Sequence, residues 1–144
     1  MNQQLIDPFG RRVDYLRLAV TDRCNLRCRY CMPAEGIASD DRVDILTWSE
    51  LVKLARIACD LGVRKVRITG GEPLVRPGII DFLAELNRLP RRPELLLTTN
   101  GTNLTANLDD LADVGIERLN VSLDSLDPQR YRDITRRGRL DDVL

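Results

Sequence analysis

The sequence predicts an α/β fold of parallel strand–helix units that curve into a partial barrel, and three observations predict it. Short apolar segments of strand length alternate with longer segments of helical period. The joints between them are short turns. One pattern of helix end, glycine and strand also occurs twice: Asp60-Leu61-Gly62-Val63 leads into Lys65-Val66-Arg67-Ile68, and Asp113-Val114-Gly115-Ile116 leads into Arg118-Leu119-Asn120-Val121. Repeated units of this kind imply right-handed crossovers and a parallel sheet.

Val13 to Val20 alternates apolar and polar residues as a strand does, and a loop with three cysteines follows directly. Thr47-Trp48-Ser49-Glu50 reads as a capping box. Behind it Trp48, Leu51, Leu54, Ala55, Ala58 and Leu61 recur at helical spacing until Gly62 supplies a left-handed stop. Arg64 to Thr69 is the second strand, Gly70-Gly71-Glu72-Pro73 a turn, and Pro77 to Leu89 a helix. Glu94 to Thr98 is the third strand, with a helix from Thr105 to Val114 ended by Gly115. Glu117 to Leu123 is the fourth strand, a short helix starts near Asp127-Pro128, and Leu140 to Leu144 open another.

At 144 residues, 43% hydrophobic and 31% charged, the chain has the size and composition of one soluble globular domain. Its 22 cationic and 22 anionic residues cancel, which removes any global electrostatic case for nucleic-acid or membrane binding. No apolar run reaches the roughly 18 residues of a membrane span, and MNQQLIDPFG lacks a secretory pattern, so the expected location is the cytoplasm. Only Lys53 and Lys65 among the cations are lysines; the arginine excess suits forked anion recognition and also genomic base composition. Histidine is absent, so no imidazole enters any catalytic or metal-binding scheme.

Apolar residues that suit a helix-covered side are Leu16, Leu18, Val20, Val66, Ile68, Leu95, Leu97, Leu119, Val121 and Leu123. The opposite side carries Arg17, Lys65, Arg67, Thr69, Thr98, Asn100, Arg118, Asn120, Ser122 and Asp124. In an antiparallel sheet this stripe would only be the wet face. In a barrel it is a polar lumen, costly to desolvate without a polar occupant, and Arg17, Lys65 and Arg67 are expected to hold an anion there.

Cys24, Cys28 and Cys31 form a CxxxCxxC loop, while Cys59 falls on the apolar side of a helix and reads as core. Structural zinc wants four ligands, and neither a second Cys pair nor a His is at hand. Three thiolates on a [4Fe-4S] cluster leave one iron open to chemistry. A fortuitous group of thiols is the bland alternative.

The segments DPFGRRVDYLRLAVTDRCNLRCRYCMP, VRITGGEPLVRPG, LLTTNG and LNVSLDSLDPQRYRDIT carry a resemblance over nearly the whole chain. The strand, cysteine loop with Tyr30, and GGEP turn resemble the radical S-adenosylmethionine (SAM) enzymes, and the finer features resemble their MoaA-type GTP 3',8-cyclase branch in molybdenum cofactor biosynthesis. The resemblance implies a TIM-like barrel, here with about four units. It implies cluster ligation by Cys24, Cys28 and Cys31, SAM contacts from Tyr30, Gly71 and Ser122, and GTP contacts from Arg17, Arg67 and Thr98. Lys65, Asn100, Asn120 and Asp124 have no role fixed by it. The implied reaction is reductive cleavage of SAM to a 5'-deoxyadenosyl radical, hydrogen abstraction from C3' of GTP, and closure onto C8 of guanine. A reductant such as flavodoxin or ferredoxin is the implied electron source, and an exposed parallel edge invites a homodimer.

Members of that branch are roughly twice as long and carry a second cysteine triplet, which this sequence lacks. Residues 1–144 are therefore expected to be the N-terminal part of a radical SAM core domain that binds the cluster without cyclising GTP. Two other readings stay open: a radical SAM enzyme acting on a peptide or another small molecule, and a non-catalytic iron-sulfur electron carrier.

Overall fold

In a computed structural model, residues 4–36 and 45–144 are described. Four strands, β1 (Tyr15–Ala19), β2 (Lys65–Thr69), β3 (Glu94–Thr99) and β4 (Arg118–Val121), form one sheet in the order β1-β2-β3-β4. All three pairings are parallel. Helices α1 (Trp48–Asp60), α2 (Ile79–Asn87), α3 (Leu104–Asp113) and α4 (Pro128–Thr135) alternate with the strands. A parallel sheet whose spatial order follows the chain order is the wall of a partial TIM-like barrel.

The core forms where the two periodicities meet. Val66, Ile68, Leu95 and Leu97 are fully buried against Leu51 and Ala55 of α1, Phe82, Leu83 and Leu86 of α2, and Leu111 of α3. Cys59 sits buried on the same side of α1 as Leu51 and Ala55, as expected of a small hydrophobe. Leu54 faces solvent instead, because it lies off the stripe those residues define. The capping box is present in full: Thr47 accepts from the Glu50 amide, and the Glu50 carboxylate accepts from the Thr47 amide at 2.7 Å. Gly62, at φ 99°, ends the helix in a conformation that a Cβ would strain.

Several boundaries differ from the sequence reading for local reasons. β1 starts at Tyr15, since the Val13 amide bonds to the Leu5 carbonyl rather than to the sheet. The helix expected from Pro77 starts at Ile79: Arg76, preceding a proline, is extended, and Gly78 is left-handed at φ 80°. A 3₁₀ turn at Pro73–Val75 occupies the space before it. Leu140–Asp142 is likewise a 3₁₀ turn rather than a full helix. β4 is shorter than expected, and Leu119 and Val121, read as helix-facing, remain 37% and 42% exposed. The helix that follows β4 is docked elsewhere, with the Thr135 and Ile134 carbonyls at its end accepting from the Arg27 and Arg29 amides of the cysteine loop.

On the inner side, register aligns Arg17, Arg67, Leu96 and Arg118 in one row across the four strands. Leu96 is buried within this polar face, so the lumen is not polar throughout. Lys65, expected to help hold an anion, lies at the first position of β2 and pairs with Glu94 at 3.4 Å, which also pairs with Arg118 at 3.1 Å. Its charge is thus matched within the protein.

Candidate cofactor and substrate site

The cysteine loop leaves the end of β1 and is held by the turn that leaves β2. The Gly71 and Glu72 amides each donate at 2.7 Å, to the Thr21 and Arg23 carbonyls respectively. Such close approach explains the two glycines: a Cβ on Gly70 would run into the Thr21 carbonyl, and one on Gly71 into that of Arg23. Glu72, next in the turn, is buried and is not a surface acid. Its carboxylate accepts from the Leu74 amide at 3.1 Å, the Thr99 hydroxyl at 2.8 Å and the Asn100 amide at 2.6 Å. Three donors stabilise one buried negative charge and join the turn after β2 to the end of β3. The sequence motif flagged the turn but not this role.

Asn100 extends that network to the cysteines. Its side-chain amide donates to Cys24 Sγ at 3.7 Å and to Asn25 Oδ1 at 2.9 Å, and Asn25 in turn donates to Thr102 at 2.8 Å. The Leu26 amide also donates to Cys24 Sγ, at 3.4 Å. Further along, Cys31 and Met32 amides donate to the Cys28 carbonyl, closing a tight turn. The Tyr30 hydroxyl donates to Asp124 beyond β4, at 3.1 Å. All three loop thiols are free, and Cys31 is exposed.

The donor set fits an iron-sulfur cluster. Burial pushes the Cys28 thiol above its ordinary value, a bond from Tyr30 opposes that, and the charges of Asp124, Cys24 and Cys31 push it further up. The three sulfurs thus lie close enough to act on one another, and the raised value keeps Cys28 a neutral thiol until a metal centre displaces its proton. Two buried polar atoms beside the loop, Arg27 Nε and the Tyr131 hydroxyl, have no protein partner, and cluster sulfides and thiolates are acceptors. Tyr131 is held protonated above the usual phenol range by burial first and then by Cys28, Asp124, Asp142 and Cys24. Among the described residues no three Cys, Asp or Glu side chains converge on a single metal ion.

A cleft of about 580 Å³ opens beside the loop, with Arg17, Thr69, Gly70, Gly71 and Cys31 in its walls. Leu46, another wall residue, is fixed by Arg76, whose guanidinium donates to the Leu46 carbonyl at 2.7 Å and the Val20 carbonyl at 2.5 Å. Arg76 also stacks 3.7 Å over the Trp48 ring, and its burial lowers its pKa. Arg67 and Thr98 are not among the residues lining the cleft and bond to each other at 3.2 Å, with Arg67 also donating to the Tyr15 hydroxyl at 2.5 Å. Thus Arg17, Gly71 and Cys31 come together in the cleft, and Arg67 stands beside Arg17 by register. Ser122 and Tyr30 are exposed on loops and outside the cleft lining. Asn120 pairs in register with Thr98 on the inner side.

A sheet of successive parallel units, with three thiols on the loop after its first strand and a double glycine after its second, defines a barrel-type cofactor enzyme. The sequence profile of the radical SAM superfamily matches residues 18–144, and the chain belongs to that superfamily. It is 55% identical over 141 residues to the GTP 3',8-cyclase of Geobacter sulfurreducens, covering 98% of this chain and 43% of that protein. It is 51% identical over 140 residues to the GTP 3',8-cyclase of Peptoclostridium acidaminophilum, covering 97% and 43% respectively. The chain therefore spans less than half the length of these curated relatives. Among solved structures it resembles Streptococcus suis SuiB bound to precursor peptide SuiA, with a TM-score of 0.72 at 24% identity, over 90% of this chain and 28% of that one. BtrN in complex with AdoMet and 2-DOIA gives 0.63 at 19%, over 97% and 55%. These two likenesses concern the fold.

Proposed function

We propose that this chain provides the cluster- and SAM-binding part of a radical SAM lyase, a GTP 3',8-cyclase of molybdenum cofactor biosynthesis, in the cytoplasm. The observation that carries the reading is the docking of the Cys24, Cys28 and Cys31 loop against Gly71 and Glu72 at the mouth of a cleft lined by Arg17. When bound, a [4Fe-4S] cluster with one iron free of protein ligands supplies single-electron reduction of chelated SAM. Cys24, Cys28 and Cys31 hold it, and Asn100 and the Leu26 amide donate to the Cys24 sulfur.

Gly71 presents its backbone to SAM in the cleft wall beside the loop, while Tyr30 and Ser122 complete its contacts. Arg17 offers its guanidinium to the GTP phosphates, and Arg67 and Thr98 present donors from neighbouring strands. The arrangement aligns the two ligands, and the apolar wall at Met32, Ile45 and Leu46 limits water. Residues 1–144 form the N-terminal part of the radical SAM core. Cyclisation itself belongs to a protein of the relatives' full length, with flavodoxin or ferredoxin as electron donor.

Anaerobic reconstitution tests this. The expected result is about four irons per chain, a reduced-state paramagnetic spectrum that changes on adding SAM, and loss of both when any one of Cys24, Cys28 or Cys31 becomes Ser. A protein that takes up zinc alone, or a cluster whose spectrum ignores SAM, overturns the proposal. Protection by GTP against heating that disappears in Arg67→Ala separates the cyclase from other members of the superfamily.

A further inference from the structure

The cysteine loop has a second support, from a side chain 104 to 109 residues further along the chain. The chain leaves α4 through Arg136, at φ 61° and ψ −30°, the one non-glycine with positive φ among the described residues. Glycine is the ordinary residue at such a helix exit, and a side chain there strains the backbone. Strain of this kind persists where the surroundings make use of the side chain. Here Arg136 Nη1 donates to the Arg27 carbonyl and to the Met32 carbonyl, both at 3.0 Å. Those two carbonyls bracket the segment that contains Cys28 and Cys31. The α4 end adds two backbone bonds, from the Arg27 and Arg29 amides to Thr135 and Ile134, at 3.0 and 2.9 Å. The α4 end is itself immobilised: Tyr131 and Thr135 are buried, and the Thr135 hydroxyl donates to the Tyr131 carbonyl and accepts from the Gly138 amide.

We propose that Arg136 is a positioning residue: its guanidinium, held out by a strained helix exit, pins both ends of the Arg27–Met32 segment and so sets the spacing of Cys28 and Cys31. The inference rests on the cluster reading, yet the clamp itself is measurable in metal-free protein. A residue that merely capped α4 would affect the helix and leave the loop alone. A clamp affects the loop even where the fold gains stability.

Arg136→Gly separates these roles, because it relieves the backbone strain while deleting the guanidinium. In the metal-free chain, amide hydrogen exchange at Arg27 and Arg29 is expected to quicken about tenfold, with the thermal midpoint unchanged or raised. After reconstitution, iron loss to a chelator is expected to quicken by a similar factor. Arg136→Ala should match the glycine variant in loop exchange but melt lower, since it keeps the strain. Arg136→Lys, whose ammonium can also donate to two carbonyls, should recover most of the protection. Exchange and iron loss within twofold of the parent in both Arg136→Gly and Arg136→Ala overturn the proposal, as does quicker exchange with unchanged iron retention. If the parent chain takes up no cluster, the reading of the site fails while the exchange measurement still decides the clamp.

Discussion

The foot and the rim of the sheet carry the same kinds of residue on their inner side and use them in opposite ways. At the foot, Lys65 closes on Glu94, which also draws in Arg118 from the row of Arg17, so these charges are satisfied within the chain. One inward-facing row above Lys65, Arg17 lines an open cleft and, among the described residues, has no hydrogen-bond or ion-pair partner. A single polar stripe in the sequence thus divides into a structural end and an available end. Barrels of this type place their chemistry where strands end and loops begin, and the division follows that rule.

The sharpest way to break the comparison is at Glu72, where the rim has a buried charge of its own. Glu72→Ala strands three donors, two of them buried, and should cost about 3 kcal/mol, measured by denaturant unfolding. A loss below about 1 kcal/mol would show that the carboxylate is not the staple. Next in size, Gly71→Ala drives a Cβ into the Arg23 carbonyl and should cost about 1–3 kcal/mol. Iron uptake on reconstitution should fall with it, whereas Cys59→Ala in the core should lower stability and leave iron uptake alone.

Glu94→Gln tests the foot. It should cost about 0.5 kcal/mol, less at high salt, and leave nucleotide binding unchanged, while Arg17→Ala should do the reverse. Equal effects on GTP protection from the two variants would erase the distinction between the ends. The smallest expected effect is in α1, far from both. Thr47→Ala should cost about 1 kcal/mol at neutral pH. Glu50 is held below its ordinary carboxylate range by its bonds to Thr47, so the folded state favours the ionised form. That stabilisation is complete above the unfolded-state value and disappears as pH falls through the lower folded value. The penalty of Thr47→Ala should therefore shrink in acid, and a constant penalty down to pH 3 would be evidence against the box.

Features set by local chemistry could be read from the sequence. The capping box, the Gly62 stop and the helix after Asp127-Pro128 all follow from neighbours a few residues apart. The cysteine loop and GGEP turn were legible too, because their spacing is itself local. What escaped was decided by distant partners. Glu72 reads as a turn acid until Thr99 and Asn100 surround it. Lys65 reads as an anion-binding group until Glu94 stands across from it, since cross-strand pairing depends on register. Leu119 and Val121 read as covered because alternation states which way a side chain points, not whether anything lies over it. Arg76 lies in the segment around the GGEP turn and Arg136 just past Thr135, yet their roles emerge only from the carbonyls they reach.

The anchoring of the thiol segment also bears on the order of events during synthesis. The Thr21 and Arg23 carbonyls wait for amides about fifty residues downstream, and the Arg27 carbonyl waits for a side chain 109 positions on. As the polypeptide emerges N-terminus first, its sulfurs reach solvent well before the scaffold that will space them. On the proposed reading, loading with metal and sulfide would follow synthesis of that scaffold, and exposure of the free thiols to oxidants would be the hazard of the interval.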